Sequence, residues 1–230
     1  MGRRIFNRAT IASVLKKRVL LLWVCFSIAS LLNINVSATE QLTAKDIIAA
    51  LRKRLTSLQD YQHQNIYVRN RNGRNVSEGY NYFFKKPNLI RVEVTDGKDK
   101  GSLVILTASG KVRAKAGGLL GLFTVTMEPN DKRLQNEDGF TIADSGFQKI
   151  IKEMETRLAG NSSTVVEVNR EKKIYQLLIE RGPFHEQILV DLQTNLPIEW
   201  LTTQSGQFYG KSEWKNWQVN SGLPDSLFQL

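Results

Sequence analysis

The residues best suited to acid–base chemistry are the two histidines of the chain, His63 and His185. A hydrolytic triad needs a base beside an activated nucleophile, and no Gly-x-Ser-x-Gly motif occurs in the sequence. His63 lies in the middle of an alternating segment, and His185 closely follows a Gly182-Pro183 turn. We therefore interpret both as ordinary surface or half-buried histidines and expect no catalytic residues.

Metal and carboxylate chemistry are not indicated either. Two histidines and one cysteine form neither a His-Glu-x-x-His motif nor paired ligand spacing, so we expect no metal site and no cofactor. Glu153 and Glu155 are two positions apart on a predicted helix, where their side chains point apart. Glu137 and Asp138 are adjacent in a polar segment, which is typical of solvated charge. A glycosidase site would need a third acid brought near this pair, which nothing in the sequence indicates, so a non-enzymatic protein is predicted.

The first 38 residues are organised as a signal peptide. Residues 1–18 contain six basic side chains and no acid, residues 19–32 form an apolar run of 14, and Ala38 ends a short segment of small residues. The alternative is an uncleaved anchor helix, but a span needs about 20 apolar residues. We predict cleavage near Ala38 and a periplasmic or otherwise extracytoplasmic location.

Removal of this segment changes the composition of what remains. The whole chain has a net charge of +10, of which residues 1–38 carry +6, leaving 26 basic and 22 acidic residues. The only cysteine, Cys25, is also removed, so disulfides and thiol chemistry are excluded from residues 39–230. A net charge of +4 without a nucleic-acid motif argues against nucleic-acid partners. The remaining length predicts one domain with a sizeable core, and we expect a monomer.

The periodicity of residues 39–230 changes several times. A helix is predicted over 43–59 with Thr43 as its N-cap, and a second over 145–159 with Asp144 or Ser145 as its cap. Between and after them the apolar period is two, which predicts about five strands in each segment. The order predicts an α+β fold, with one large antiparallel sheet and helices against one side.

Two segments allow alternative interpretations. Residues 117–122 combine three glycines with three leucines, which fits either a turn into a strand or a mobile flap over an apolar site. Residues 129–144 are polar and are predicted to form a surface loop. The strands have apolar faces that the helices could cover, either closing fully or leaving a cavity for an acyl chain.

Several short motifs follow one another along the chain: a Gly-containing strand, a basic-basic-Pro-Asn turn, an Arg-bearing strand and an Asp-Gly turn. They read Glu78-Gly79, Lys85-Lys86-Pro87-Asn88-Leu89-Ile90-Arg91-Val92-Glu93 and Asp96-Gly97-Lys98, and the chain ends with Leu223-Pro224-Asp225-Ser226-Leu227-Phe228. These motifs and this ending resemble those of the LolA-type family of outer-membrane lipoprotein-sorting proteins.

The resemblance implies a curved antiparallel sheet, an unclosed half-barrel, whose concave side is covered by helices. It also implies an apolar interior that holds acyl chains of a lipid or lipoprotein. In the family an Arg in the basic-basic-Pro-Asn turn tethers the lid; Lys86 occupies that position here and keeps the charge without the planar guanidinium.

These observations define the expected site and function. The function is a non-enzymatic extracytoplasmic carrier or binder of lipid or lipoprotein acyl chains; the alternative is an envelope sensor or interaction domain of the same fold, which binds an envelope protein. The alternation of apolar residues in the strands does not indicate which face of the sheet is concave. The predicted apolar lining is Tyr80, Tyr82, Phe84, Ile90, Val92, Val94, Leu103 and Ile105. The predicted lid residues are Lys86, Leu119, Leu120, Leu122, Phe147, Ile151 and Met154.

Overall fold

The first helix, α1 (Ala44–Ser57), begins where its sequence signals place it. The structure is a computed structural model that describes residues 42–118, 123–134, 141–160 and 163–230. The Thr43 hydroxyl accepts a hydrogen bond from the Asp46 amide at 3.2 Å, and the Thr43 amide donates to the Asp46 carboxylate at 2.8 Å. This capping box satisfies two backbone donors, and it confirms Thr43 as the N-cap.

The second helix, α2 (Phe147–Ala159), has a different start from the predicted one. Its N-cap is Gly146, which offers no side-chain hydrogen bond, so the prediction of Asp144 or Ser145 as the cap was wrong. Ile142–Asp144 forms a 3-10 turn instead, and the Ser145 hydroxyl donates back to the Ile142 carbonyl at 2.5 Å. The Ser145 hydroxyl therefore stabilises the preceding turn and does not cap the helix.

The strands form one open antiparallel sheet. The strand bounds are β1 (Asp60–Arg71), β2 (Arg74–Lys85), β3 (Leu89–Asp96), β4 (Leu103–Leu106), β5 (Val112–Lys115), β6 (Thr124–Met127), β7 (Ser163–Asn169), β8 (Ile174–Arg181), β9 (Phe184–Asp191), β10 (Pro197–Gln204) and β11 (Gln207–Val219). Their order across the sheet is β6-β5-β4-β3-β2-β1-β11-β10-β9-β8-β7. The prediction of an α+β fold with an unclosed antiparallel half-barrel covered by helices is confirmed.

The main core lies between the helices and one face of the sheet, which we call the inner face. Helix α1 contributes Ile47, Ile48 and Leu51, all nearly inaccessible to solvent. Strands at both ends of the sheet contribute to the same cluster, from Val112 on β5 to Leu177 on β8. The apolar residues of each helix, spaced three and four apart, thus pack against the strand side chains that alternate onto the inner face.

The opposite, outer face carries a smaller cluster that includes the end of the chain. Ile105 is fully buried there against Leu223 and Phe228, and Leu103 packs beside it. Arg91, which pairs with Ile105, donates to the carbonyl of Leu227 at 2.9 Å. The chain end therefore covers an apolar patch that would otherwise be exposed on the outer face.

Strand β11 contains a bulge that alters which side chains face inward. Trp214 pairs with Asn65 and Lys215 with Gln64, after which the register shifts. Asn216 has a φ of 55°, which an extra residue in a bulge commonly needs. Trp214 and Trp217 are three residues apart, and both pack in the inner core. Without the bulge, period two would place these tryptophans on opposite faces.

The segment predicted as a surface loop, residues 129–144, is partly buried. It contains two 3-10 turns, Lys132–Leu134 and Ile142–Asp144, and Ile142 is only 7% exposed. The prediction of a surface loop was therefore wrong for residue 142, because a single Ile in a polar segment gives no periodic signal. The predicted signal peptide and the lid candidates Leu119, Leu120 and Leu122 lie outside the described residues. No helix in the described ranges has the length and apolar character that a membrane span needs.

Candidate functional site

A cavity of about 770 Å³ opens between the inner face and helix α2. This volume falls within the roughly 300–1,000 Å³ of small-molecule sites. Its lining comes from the first strands, the last strands, α2 and the segment before α2. The lining residues are His63, Asn65, Tyr67, Arg69, Asn70, Tyr80, Tyr82, Val92, Val94, Val104, Leu134, Thr141, Ile142, Ser145, Phe147, Lys149, Ile150, Glu153, Arg157, Trp200, Thr202, Tyr209, Gly210, Lys211, Ser212 and Trp214.

The structure places the predicted lining residues in three groups. Four of them line the cavity, and two more share the inner face but pack within the core beside it. The remaining two, Leu103 and Ile105, lie on the outer face, so their placement in the cavity was wrong. The residues that line the cavity are Tyr80, Tyr82, Val92 and Val94. The two that pack within the core beside it are Phe84 and Ile90.

The predicted lid residues are also divided. Phe147 lines the cavity, whereas Ile151 and Met154 are fully buried on the same helix and attach α2 to the core. Lys86 lies away from the cavity, and its ammonium donates to the carbonyl of Thr56 at 2.8 Å. The helix that Lys86 holds is therefore α1, while α2 is the helix that covers the cavity.

An aromatic cluster surrounds His63 at the centre of the site. The centre of the His63 ring lies 5.0 Å from the ring centre of Tyr82, 4.5 Å from that of Trp217 and 5.4 Å from that of Phe147. Burial lowers the pKa of His63 to about 3, so the imidazole is neutral at physiological pH. Both ring nitrogens lack a hydrogen-bond partner among the described residues. His63 therefore behaves as an aromatic side chain of the cavity wall and not as a proton-transfer group.

Tyr82 in this cluster and Tyr80 on the same strand are held in the neutral form. Burial raises the pKa of Tyr82 to about 12, and the Ser145 hydroxyl lies 3.4 Å from its phenol oxygen. Burial, together with a hydrogen bond from its phenol to Glu78, raises the pKa of Tyr80 well above its usual value. Neither phenol can act as a base near neutral pH, so the centre of the cavity is uncharged.

Charged groups gather where α2 crosses the last strands. Arg157 forms an ion pair with the fully buried carboxylate of Glu186, and its guanidinium carbon lies 4.7 Å from the centre of the Trp200 ring. A second guanidinium, that of Arg181, lies 3.8 Å from the same carboxylate. The second carboxylate oxygen of Glu186 has no hydrogen-bond partner within the described part of the chain. These contacts join α2 to β8, β9 and β10.

Further charges face the cavity from α2 and β1. Lys149, Glu153 and Arg157 recur every four residues along one side of α2, and Arg69 projects from β1. Lys211 also borders the cavity, but its ammonium bonds Glu213 at 2.5 Å on the outer face. That hydrogen bond raises the pKa of Lys211 and lowers the pKa of Glu213.

Several lining residues were missed by sequence reasoning. Leu134, Thr141 and Ile142 come from the segment predicted to be a surface loop. The side chains from β10 and β11 alternate with period two, but nothing in the sequence indicates that these strands lie beside β1. Trp214 and its neighbour Trp217 are the one signal that could have found this part of the site, because paired tryptophans are conspicuous in a strand.

The side chains that line the site differ in polarity from one side to the other. Within the ranges that the structure describes, no group of three His, Cys, Asp or Glu side chains is placed to hold a metal ion. The arrangement can enclose an apolar chain against aromatic and branched side chains, with polar and charged groups at one side.

No protein-family model matches this chain, and no curated protein sequence does so either. Solved structures are similar in fold. An uncharacterized conserved protein from Thermus thermophilus matches with a TM-score of 0.50 and 11% identity, over 82% of this chain and 94% of that one. A LolA superfamily protein from Nitrosomonas europaea matches with a TM-score of 0.40 and 11% identity, over 82% and 98%.

A chain of the Pseudomonas aeruginosa MucA/MucB complex matches with a TM-score of 0.45 and 16% identity, over 80% of this chain and 61% of that one. At these identities the likeness concerns the fold alone.

Proposed function

We propose that this protein is a non-enzymatic, extracytoplasmic carrier or binder of acyl chains belonging to a lipid or lipoprotein. The observation that carries the proposal is the cavity of about 770 Å³ between the inner face and α2. Full closure of the helices on the sheet would have left no such space. Tyr80, Tyr82, Val92 and Val94, which the sequence singled out, are among the side chains proposed to contact the ligand.

Apolar contact alone provides sufficient affinity for this role. Each methylene transferred from water contributes about 0.8 kcal/mol, so a chain of about ten methylenes gains roughly 8 kcal/mol before the costs of binding. Helix α2 acts as the lid, because it covers the cavity through Phe147 and Ile150. Its attachment through Arg157 and Glu186 would have to loosen for a long chain to enter.

The extracytoplasmic location in this proposal comes from the predicted signal peptide. A soluble carrier is useful in an aqueous compartment beside a membrane, because free acyl chains are poorly soluble there. The neutral state of His63, Tyr80 and Tyr82 is consistent with binding, since a charged side chain at the cavity centre would lose its hydration when an apolar chain covered it.

The test is native mass spectrometry of the protein purified from its own envelope fraction, followed by titration with a fluorescent fatty acid. The expected result is a mass increment that extraction with organic solvent removes, and saturable uptake of the fluorescent acid by the stripped protein. Bare protein in the spectrum together with no uptake of the probe would exclude acyl binding.

A second function, binding of an envelope protein at a sheet edge, is favoured by the exposed edge strands. Val125 on β6 is 47% exposed, and Val165 and Val168 on β7 are 53% and 44% exposed. Among the described strands, β6 and β7 each have one strand neighbour, so each offers unpaired backbone groups. Isolation of a stable protein partner from the envelope, with no lipid in the complex, would support this function over the carrier.

A further inference from the structure

Residues 223–230, which we call the strap, cross several strands on the outer face of the sheet. Three of their main-chain carbonyl oxygens accept hydrogen bonds from cations on three different strands. These bonds join Lys85 of β2 to Leu223 at 2.7 Å, Arg91 of β3 to Leu227 at 2.9 Å and Arg113 of β5 to Leu230 at 3.0 Å. The strap therefore advances from β2 to β5 as its sequence advances.

An apolar groove lies beneath the strap, and two strap side chains enter it. Leu223 and Phe228 are 8% and 3% exposed, and both belong to the cluster of the fully buried Ile105. Between these two anchors Asp225 forms an ion pair with Lys85 at 2.5 Å. The apolar floor of the groove consists of Phe83, Leu89, Leu103 and Ile105. The strap is thus held by two apolar anchors, one ion pair and three bonds to its main chain.

A fixed bend joins the strap to β11. The buried carboxylate of Asp60 accepts hydrogen bonds from the Ser221 amide at 2.8 Å and from the Gly222 amide at 3.1 Å. Gly222 has a φ of 76°, which glycine adopts without steric cost. The bend brings the chain from the end of β11 to Lys85 on β2. So short a connection keeps the strap at a high effective concentration near its groove.

The groove and the cavity use opposite faces of the same strands. Arg91, Ile105 and Arg113 pair with one another across β3, β4 and β5 on the outer face. Their chain neighbours Val92 and Val104 pair on the inner face and line the cavity. Because successive side chains of a strand point to opposite faces, the strap lies directly behind the apolar wall of the cavity.

Two of the strands behind the strap are short. Strands β4 and β5 have four residues each and pair over four positions, whereas β1 and β2 pair over twelve. Beyond them lies β6, which has a single strand neighbour in the part of the chain that the structure describes. Short strands near the end of a sheet open at a low free energy, so outside contacts from the strap add to a weak ladder.

We propose that the outer face of β2–β5 is a peptide-binding groove, and that its resident occupant, the strap, braces the apolar wall of the cavity. With the strap in place, Val92 and Val104 are held against a bound chain. With the strap displaced, the wall moves outward and the chain leaves faster. The groove fits a short peptide with two apolar side chains five positions apart and an acidic residue between them. The effect on ligand release rests on the proposed acyl-binding function, whereas the groove and the bracing do not.

The first experiment detaches the strap from its groove. Leu223→Ala/Phe228→Ala removes both anchors and leaves the groove itself unchanged. Amide hydrogen exchange is expected to accelerate at least about tenfold in β4 and β5 and to stay unchanged in β8 and β9. Release of a bound fluorescent fatty acid is expected to be at least about threefold faster. The matched control, Ser226→Ala/Gln229→Ala, changes two exposed strap positions and should behave as the unmodified protein.

The second experiment supplies the strap in trans. A labelled peptide of residues 222–230, at a few millimolar, is expected to bind the Leu223→Ala/Phe228→Ala variant saturably and to restore slow exchange and slow release. The unmodified protein has its groove occupied, so it should bind the peptide at least about tenfold more weakly. If the double variant does not fold, Phe228→Val takes its place, with an expected acceleration in β4 and β5 of about threefold.

The outcomes separate this inference from the proposed function. Unchanged exchange in β4 and β5 of a folded anchor variant would overturn the bracing, and failure of that variant to bind the peptide would overturn the groove. Faster exchange with unchanged release of the fluorescent acid would overturn the coupling to the cavity. No uptake of the acid by the unmodified protein would show instead that the proposed function is wrong, while exchange and peptide binding still decide the role of the strap.

Discussion

The ammonium of Lys86 donates a 2.8 Å hydrogen bond to the main-chain carbonyl of Thr56, in the last turn of α1. A cation at a helix C-terminus satisfies a carbonyl without an intrahelical partner and interacts favourably with the helix dipole. The recorded partner of Lys86 is a single carbonyl oxygen, and the ammonium of a lysine binds it without the two parallel N–H groups of a guanidinium.

Replacing Lys86 with alanine is expected to loosen the end of α1 at a small cost. The side chain is solvent-exposed, so the loss in free energy of unfolding should be below about 1 kcal/mol. Hydrogen exchange is expected to accelerate at the last turn of α1 and not at α2. Lys98→Ala, in an exposed turn, is the control; equal acceleration at α1 in both variants would contradict the role of Lys86.

Stability is expected to depend on pH through His63. Its pKa is about 3 in the folded protein, against 6.5 for an ordinary histidine. The unfolded chain therefore binds a proton that the folded protein rejects, and stability falls as the pH decreases from 6.5 toward 3. Above pH 6.5 both states are neutral, and this loss is absent. The slope attributable to His63 is up to about 1.4 kcal/mol per pH unit.

His63→Phe should remove this pH dependence. Phenylalanine fills a similar space, and no hydrogen bond within the described residues is lost, so stability at about pH 7 should change little. Urea unfolding at about pH 4 and about pH 7 measures the effect. His185→Phe is the control, because that imidazole is exposed beside Glu180. A slope that persists in His63→Phe would contradict the assignment.

Filling the cavity from β11 is expected to reduce acyl binding without unfolding the protein. Gly210 faces the cavity, and a Cβ there would contact the Val68 carbonyl at 3.5 Å and the Arg69 Cβ at 3.8 Å, both ordinary distances. Gly210→Leu should displace at least about two methylenes of the ligand and weaken fatty-acid binding more than about tenfold. Gln207→Leu, at an exposed position, is the control. Unchanged affinity in Gly210→Leu would place the ligand elsewhere.

The bulge in β11 is expected to depend on the residue at position 216. A β-branched side chain is disfavoured at a φ of 55°, so Asn216→Val should cost about 1–2 kcal/mol. Asn216→Gly tolerates that backbone and loses only the hydrogen bond to Gln64, of 2.7 Å. Denaturation followed by tryptophan fluorescence reports the change, because Trp214 and Trp217 flank the bulge. Equal stability of the two variants would contradict the prediction.

The sequence predicted the faces of the early strands well, for a physical reason. In β2 and β3 apolar and polar residues alternate, so the faces that carry Tyr82 and Val92 could be assigned as apolar. Strand β4 reads Leu-Val-Ile-Leu and is apolar on both faces. The alternation of apolar and polar residues therefore cannot show which side chains of β4 point inward. The assignment of Ile105 to the inner face was wrong because the chain end covers the outer face there.

The far side of the site depends on contacts that local patterns do not encode. The pairing of β1 with β11 brings Trp200, Gly210 and Ser212 beside the first strands, across long separations in the chain. The bulge at Asn216 was hidden because an asparagine with positive φ resembles any polar strand residue in sequence. Arg157 and Glu186 were not predicted as a pair, since they lie on different elements.

The pairing of the first strand with the last, in the middle of the sheet, also has a consequence for folding. Tyr61 pairs with Val219, so the two halves of the sheet are joined only after nearly the whole chain has been synthesised. Until then a nascent chain presents two partial sheets, each with a bare strand edge. Contacts between strands that are so far apart in the sequence raise the contact order, and a high contact order slows folding. Proteolytic loss of β11 would separate the halves and dismantle the cavity while leaving most of the chain in place.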